Sequence, residues 1–182
     1  MQSQQKYFIN PARELELLKK ILVFERSWRT AGGNSLILGI LYQKSNPISA
    51  WVLEDWLNLQ ASLPQEEVSR SEVRLVFHPV DLDSPEPLEA SLKELGVKLV
   101  YLAPLELSTN PGLLSTIFKA CEKLKVGTFT AVPEYLEAGA AIGFVWTGEK
   151  HQIQINLEAA RAQGLNFSSR FLRLATVKKG HD

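Results

Sequence analysis

The sequence predicts an α/β fold with a mixed, mostly parallel sheet. Short runs of β-branched and aromatic residues alternate with amphipathic stretches over most of the chain. Toward the C-terminus this rhythm changes to two adjacent strand-like runs joined by a polar turn, which indicates an antiparallel hairpin. Strands that alternate with helices form parallel sheets covered on both faces. We therefore expect a Rossmann-like three-layer αβα sandwich, in one domain over residues 1–182 with its core at about residues 7–178.

Four helix starts are indicated by a capping residue directly before a proline. Asn and Ser side chains accept hydrogen bonds from free N–H groups of the first turn, and proline at the first helical position loses no intrahelical bond. The four pairs are Asn10-Pro11, Asn46-Pro47, Ser84-Pro85 and Asn110-Pro111.

Apolar residues at three- and four-residue spacing predict the buried face of each helix. After Asn110 the stripe comprises Leu113, Leu114, Ile117, Phe118, Cys121 and Leu124. After Asn46 it comprises Ile48, Trp51, Val52, Leu59 and Leu63. Trp56 lies off this stripe, and because aromatic residues are enriched at interfaces, an exposed Trp56 would be a candidate partner contact. The other three tryptophans are expected in the core.

Strands are expected between the helices and in a C-terminal hairpin. The four strands are predicted at Leu36–Tyr42, Val73–His78, Val97–Leu102 and Thr128–Val132. The hairpin is predicted from Ala141–Trp146 and His151–Leu157 around a turn at residues 147–150, followed by a short helix over Asn156–Gln163 and a last segment over Ser168–Lys178.

Composition excludes several classes of protein. With 20 Lys and Arg against 20 Asp and Glu the formal charge is zero, which argues against a nucleic-acid partner and against a polybasic membrane-binding surface. A single cysteine excludes an intrachain disulfide and a multi-cysteine zinc site. Cys121 lies on an apolar stripe, so we interpret it as a small buried hydrophobe rather than a nucleophile. No motif for a cofactor or a metal is present, and none is expected.

One cluster of polar residues resembles a site but is better explained as a loop. His78, Asp81 and Asp83 follow a predicted parallel strand, and ligands of open α/β sheets bind beyond the carboxyl ends of strands. Three prolines surround the cluster, however, and Asp is a common turn residue, which favours a structural loop. Glu14 and Glu16 are interpreted as ordinary exposed helix charges. The absence of a catalytic constellation favours a binding or regulatory protein over an enzyme.

The last third of the chain carries a longer motif. A glycine-bounded strand, residues 139–146 (GAAIGFVW), is followed by IQINLEAA at residues 153–160 and by Gly164-Leu165. Ser168-Ser169 and the segment LRLA at residues 172–175 complete it. This pattern resembles the YfiR/HmsC family, in which an IGFV strand precedes INL-x-AA-x-x-x-GL and SS-x-LL-x-LA. Phe171 stands where the family has the first of its paired leucines. Residues 24–28 (FERSW) resemble the end of the family's first helix, so the resemblance extends from Tyr7 to Lys178.

The resemblance implies a periplasmic regulator whose signal peptide is absent from this sequence. It implies a non-enzymatic protein, often dimeric, that binds and represses a membrane-bound signalling partner, namely a diguanylate cyclase or a histidine kinase. Cyclic-di-GMP signalling and biofilm control would be its output. Family members with redox-sensitive disulfides exist, and a chain with only Cys121 cannot reproduce that feature.

Two functions remain open at this point. The first is the regulator just described, and the alternative is an extracytoplasmic small-molecule sensor whose ligand is held by loops at the strand ends. Those loops are residues 42–46, 78–83, 103–110 and 132–135. The candidate ligand- or partner-binding residues are Tyr42, Trp56, His78, Glu134, Asn156, Arg170 and Arg173.

Overall fold

A computed structural model of the chain describes residues 9–24, 35–63, 74–173 and 175–178. Its strands are β1 Ser35–Tyr42, β2 Arg74–Asp81, β3 Leu99–Leu102, β4 Gly127–Thr130, β5 Ile142–Trp146, β6 His151–Asn156 and β7 Thr176–Lys178. Its helices are α1 Pro11–Phe24, α2 Pro47–Ser62, α3 Leu88–Glu94, α4 Leu113–Leu124, α5 Pro133–Ala138, α6 Leu157–Ala162 and α7 Ser169–Leu172.

The strands form one sheet in the order β2-β1-β3-β4-β5-β6-β7. The first five are parallel to one another, β6 is antiparallel to β5, and β7 is parallel to β6. The predicted α/β class, with its mostly parallel sheet and C-terminal hairpin, is therefore confirmed. β1, β3 and β4 are buried almost throughout, as expected of parallel strands covered on both faces.

Two apolar cores lie on opposite faces of the sheet and make the fold three-layered. One core joins the sheet to α1, α2, α6 and α7, which contribute residues such as Leu18, Trp56, Ala160 and Phe171. The other joins it to α3, α4 and α5 through Leu92, Ile117, Phe118, Cys121 and Tyr135.

Five aromatic rings form a continuous row through the first core. We call Trp56, Phe77, Tyr101, Phe129 and Phe144 the aromatic row. The Trp56 ring lies 5.2 Å from Phe77, 5.0 Å from Tyr101 and 6.0 Å from Phe129, measured between centroids. Phe129 continues the row to Tyr101 at 5.0 Å and to Phe144 at 5.8 Å. One tryptophan of α2 thus joins β2, β3 and β4, and edge-to-face or tilted rings at these distances attract each other.

The buried face of α2 differs from the predicted stripe. The residues that α2 buries are Ser49, Val52, Leu53 and Trp56. Trp56 is 0% exposed, whereas Ile48 is 50% and Trp51 43% exposed, so the helix is rotated relative to the prediction. The reason is that Trp56 has the space among aromatic rings that its size requires. Trp146 is also exposed, contrary to the expectation of a core residue, and Trp28 lies outside the described residues.

Two of the four helix starts were predicted correctly. Asn10 accepts a hydrogen bond from Arg13 N at 3.0 Å, and Asn46 accepts from Ile48 N at 3.0 Å and from Ser49 N at 3.4 Å. The other two helices begin later, at Leu88 and Leu113. Their residues before proline stabilise turns instead: Ser84 Oγ accepts from Glu86 N, and Asn110 O accepts from Leu113 N. Ser and Asn favour such turns as well as helix caps.

Strand β2 runs three residues further than predicted, to Asp81 rather than His78. It pairs with β1 alone among the described strands, and a strand at a sheet edge tolerates Pro79 because its outer side needs no ladder hydrogen bond. On that same outer side, Phe77 N donates to the side-chain oxygen of Gln60 at the end of α2. The β2 edge is therefore partly covered by α2.

No helix among the described residues has the length and apolar character needed to cross a bilayer. The longest of them, α2, has 16 residues.

Replacing Gly127 by Ala is expected to destabilise the fold. A Cβ at Gly127 would lie 2.8 Å from Leu165 Cδ2 and 3.0 Å from Leu99 Cδ1, and both leucines are buried. Such overpacking costs about 1–3 kcal/mol of unfolding free energy, measurable by urea denaturation. Gly112→Ala is the control, because its nearest neighbour would lie 3.8 Å away, and its effect is expected to stay below about 0.5 kcal/mol. Equal losses in both variants would contradict the packing assigned to Gly127.

Candidate functional site

The carboxyl edge between β1 and β3 is the place where this sheet is expected to form a site. The chain proceeds from β1 outward to β2, then returns to the other side of β1 for β3. At such a switch point the loops after the two central strands diverge to opposite faces and leave a crevice in which ligands bind. Here those loops are residues 43–46 after β1 and residues 103–112 after β3.

Side-chain amides bridge this crevice. Gln43 Oε1 accepts a hydrogen bond from Glu106 N at 2.6 Å, and Gln43 Nε2 donates to Glu106 O at 3.4 Å. Asn46 Nδ2 donates to Pro104 O at 3.4 Å. We call these four residues the switch-point bridge. Because Gln43 is only 7% exposed, its amide acts as an internal tie between the two loops rather than as a group that faces solvent.

Two further contacts anchor the bridge to the helices below it. Ser49 of α2 accepts a hydrogen bond at its Oγ from Gln43 N at 3.0 Å. Tyr135 of α5 accepts at its hydroxyl from Leu105 N at 2.8 Å, and its ring is buried in the second core. Each of the two loops is therefore attached by a hydrogen bond to a different helical layer.

In the His78, Asp81 and Asp83 cluster, the two aspartates hold the turn after β2, whereas His78 lies within the strand. Asp81 Oδ1 accepts from Asp83 N at 3.0 Å and from Lys44 N at 3.4 Å. Asp83 Oδ2 accepts from Ser45 N at 2.7 Å. His78 lies within β2, three residues before Asp81, so their side chains are on opposite faces of the sheet. Nowhere in the described ranges do three His, Cys, Asp or Glu side chains form a group that could hold a metal ion.

The carboxylates of Asp81 and Asp83 affect the pKa of Tyr42, the last residue of β1. Partial burial of the ring, and then the negative charges of Asp81 and Asp83, raise the pKa of the Tyr42 hydroxyl. Tyr42 is therefore neutral at physiological pH and can donate a hydrogen bond. On the other side of the crevice, hydrogen bonds from the side chain and backbone of Ser108 lower the pKa of Glu106, so its carboxylate carries a charge at the surface.

The remaining candidate residues lie apart from the crevice. Trp56 is buried in the aromatic row, so the exposure that a partner contact would require is absent. Asn156 caps α6 by accepting from Ala159 N at 3.1 Å, and it donates to Leu136 O. Glu134 is exposed on α5, and Arg170 and Arg173 are exposed at α7. The structure does not bring the seven candidates together, and their binding role stays a prediction.

Sequence reasoning missed three residues that the structure makes prominent. Gln43 and Tyr135 hold the switch-point bridge. Their positions are the only signal in the sequence: Gln43 directly follows a strand, and Tyr135 lies in a helix that follows one. Glu14 was interpreted as an exposed charge, but its side chain is completely buried.

Cys121 is buried as predicted, and desolvation raises the pKa of its thiol to about 12, which is consistent with an unreactive side chain.

An exposed apolar pair lies next to the switch-point bridge. Ile48 and Trp51 are three residues apart in the first two turns of α2, so their side chains are neighbours on one face. We call this pair the α2 patch. Ile48 and Trp51 follow Asn46, which belongs to the bridge, by two and five residues. The patch is thus held on a helix whose start is capped and whose opposite face is packed in the core.

Comparison with protein families gives one match. A family model described as YfiR/HmsC-like matches residues 41–176, which is most of the chain. No curated protein is similar enough in sequence to be matched.

Three solved structures have a similar fold. The ABC domain in complex with L-Trp from Streptococcus pneumonia has a TM-score of 0.58 at 16% identity, covering 93% of this chain and 61% of that chain. A ligand-free, open substrate-binding protein with adhesive properties from Clostridium difficile has a TM-score of 0.62 at 14% identity, covering 96% and 61%. A conserved domain protein from Vibrio cholerae has a TM-score of 0.54 at 19% identity, covering 93% and 60%. The chain spans about three fifths of each, and identities this low show the fold alone.

Replacing Gln43 by Ala is expected to release the loop after β3. The variant leaves the backbone N–H and C=O of Glu106 without their partner, which costs about 1–2 kcal/mol and should speed hydrogen exchange of the Glu106 amide. Glu106→Ala is the matched control, because Gln43 bonds to the main chain of Glu106 and that bond survives. If the Glu106 amide stays equally protected in Gln43→Ala, the bridge does not hold the loop.

Proposed function

The chain belongs to the YfiR/HmsC-like family, and on this premise we propose that it is a non-enzymatic periplasmic regulator of a membrane-bound signalling protein. The proposed partner is a diguanylate cyclase, whose cyclic-di-GMP output the chain represses; a histidine kinase is the other partner type. The observation that carries the proposal is the exposed α2 patch beside a bridged edge. Such a surface suits contact with a protein better than enclosure of a substrate.

The chemistry of the patch supports a protein partner. Trp51 is 43% and Ile48 is 50% exposed, and tryptophan is among the residues that contribute most binding energy at protein interfaces. The helix that carries them is fixed by the Asn46 cap and by buried Val52 and Leu53. A rigid anchor loses little side-chain and backbone freedom when a partner binds, which favours affinity.

The zero net charge of the chain is consistent with this kind of contact. Long-range attraction would contribute little to the encounter, so the contact would depend on shape and apolar area. The α2 patch provides the apolar centre of such a surface. Glu54 and Asn58 lie exposed further along the same helix and provide polar surroundings.

The proposed regulatory function predicts a cellular phenotype that depends on the α2 patch. Deleting the gene in the organism that encodes it should raise cellular cyclic-di-GMP, and the wild-type chain should restore the low level. Trp51→Ala should fail to restore it, because removal of an interface tryptophan costs about 2 kcal/mol or more, roughly 30-fold in affinity. Cyclic-di-GMP is measured by mass spectrometry of cell extracts.

Glu122→Ala, an exposed change on α4 at the opposite face of the sheet, is the control and should restore repression as the wild type does. Because Trp51 is exposed, thermal unfolding should show that both variants are as stable as the wild type. No change in cyclic-di-GMP on deletion would overturn the diguanylate cyclase as the partner. Full repression by Trp51→Ala would overturn the α2 patch as the contact.

The alternative function is a small-molecule sensor, and one observation favours it. The loops after β1 and β3 do meet at the switch point, where sheets of this order bind ligands, and one of the similar solved structures is of a substrate-binding protein. Against it, the switch-point bridge occupies that crevice with hydrogen bonds of the protein itself.

A thermal-shift screen separates the two functions. The probe is a panel of the twenty amino acids at 1 mM with the wild-type chain. A ligand at 100 times its dissociation constant stabilises by about 2.7 kcal/mol, which shifts the unfolding temperature by several degrees. The regulator predicts no shift across the panel. A shift that Gln43→Ala abolishes would favour the sensor with its site at the crevice.

A further inference from the structure

Three polar atoms are buried in the first core and make no hydrogen bond of ordinary geometry, although the Tyr101 hydroxyl interacts with both Glu14 and Trp56. They are Glu14 Oε2, Trp56 Nε1 and the Tyr101 hydroxyl, and they come from α1, α2 and β3. All three residues are 0% exposed. Unpaired polar atoms are rare in protein interiors because each costs free energy when it leaves water. Three from three elements in one core therefore call for an explanation.

These side chains are neighbours. The Trp56 and Tyr101 ring centroids are 5.0 Å apart. Burial, and then the charge and the carboxyl oxygen of Glu14, raise the pKa of the Tyr101 hydroxyl. The other Glu14 oxygen, Oε1, accepts from Asn10 N at 2.9 Å, which attaches the carboxyl to the start of α1. Glu14 is thus the polar link between α1 and the aromatic row.

No cation balances Glu14 among the described residues that pack against α1. On α1 itself, Arg13 lies at the surface and forms an ion pair with Glu16. From α2 the facing polar group is Trp56, and from β3 it is Tyr101, whose own surroundings include Tyr135. The same core contains Leu38 and Ile40 of β1 and Phe171 of α7, and Phe171 stacks on Phe24.

The protonation state of Glu14 decides whether this cluster is stable. The Tyr101 hydroxyl can donate to an ionised Glu14 carboxylate, which favours the charged form, but burial of the charge outweighs this effect. An ionised, unpaired carboxylate in an apolar core is strongly unfavourable. Burial raises the pKa of Glu14 to about 7, an effect that the hydrogen bond from Asn10 N and the interaction with the Tyr101 hydroxyl oppose.

We propose that Glu14 is a proton-controlled latch that holds α1 on the sheet. With the proton bound, α1 is docked over the aromatic row. When the proton is lost, the carboxylate favours water, α1 loosens, and the apolar side chains of Leu15, Leu18 and Ile21 are uncovered together with Trp56. α1 precedes residues 41–176, which match the family model, and the latch does not depend on the function proposed above.

The direction of the pH dependence follows from the two protonation equilibria. In released α1 the carboxyl has the ordinary pKa of 4.5, and in docked α1 it is about 7. The docked state therefore binds the proton more tightly, so docking is strongest below pH 4.5, weakens as pH rises to about 7, and is constant above that. Between pH 5 and pH 8 the equilibrium constant for release rises on the order of 70-fold.

Hydrogen exchange of the full chain tests the latch. Protection factors of α1 amides, each corrected for the intrinsic exchange rate at that pH, are measured by mass spectrometry from pH 5 to pH 8. Helix α4, on the opposite face of the sheet, is the internal reference. The wild type should lose on the order of 70-fold more protection in α1 than in α4, and Glu14→Gln should remove this difference. Glu16→Gln, on the same helix but at the surface, should behave as the wild type.

A second variant keeps the test decisive if Glu14→Gln does not fold. Because the interaction with the Tyr101 hydroxyl lowers the pKa of Glu14, Tyr101→Phe should move the midpoint of α1 loosening to higher pH. The same midpoint should appear in the Glu14 carboxyl titration by NMR of the wild type. The proposal is overturned if α1 and α4 show the same pH dependence in the wild type, or if the Glu14 carboxyl titrates near 4.5.

Discussion

The packing of Trp56 among the rings of three strands is the constraint on which the rest of the structure depends. It fixes the rotation of α2 over the sheet, because Trp56 fills the space between Phe77, Tyr101 and Phe129. With Trp56 inward, Ile48 and Trp51 face solvent. The same rotation places Ser49 under Gln43 and Asn46 beside Pro104. The packing of Trp56 therefore accounts both for the exposed surface proposed for the partner and for the closed crevice beside it.

Most of the fold was predictable from the sequence because the signals for it are local. Parallel strands buried on both faces are continuous apolar runs, and the change to alternation in β6 marks the hairpin. The rotation of α2 was not predictable in this way. Its aromatic and aliphatic residues occupy more than one face, so Trp51 and Trp56 define competing stripes, and only the rings of the other strands decide between them. The starts of α3 and α4 were misplaced because Ser and Asn before proline stabilise a turn as readily as a helix.

The site was less predictable than the fold because its contacts join distant parts of the chain. The loops at the strand ends were expected from topology, but the tie between them links Gln43 to Glu106, 63 residues later. Nothing near Gln43 in the sequence indicates that its amide forms hydrogen bonds within the protein rather than with solvent. Glu14 shows the same difficulty. A glutamate in the first turn of a helix usually favours water and the helix dipole, and its burial depends on Tyr101 and Trp56, which lie far away in sequence. Only the turn in which Asp81 accepts from Asp83 N is local, because both carboxylates also bind the loop after β1, 37 and 38 residues earlier.

The side chain of Gln60 has a consequence for how copies of this sheet can meet. Successive residues of a strand direct their N–H groups to alternating sides, so Phe77 and Pro79 share the outer side of β2. The N–H of Phe77 already donates to Gln60, and Pro79 has no N–H group to offer. An incoming strand would find two neighbouring donor positions without a donor. The β2 edge is thus protected against the edge-to-edge growth that leads to aggregates, which is useful in a protein with an exposed tryptophan.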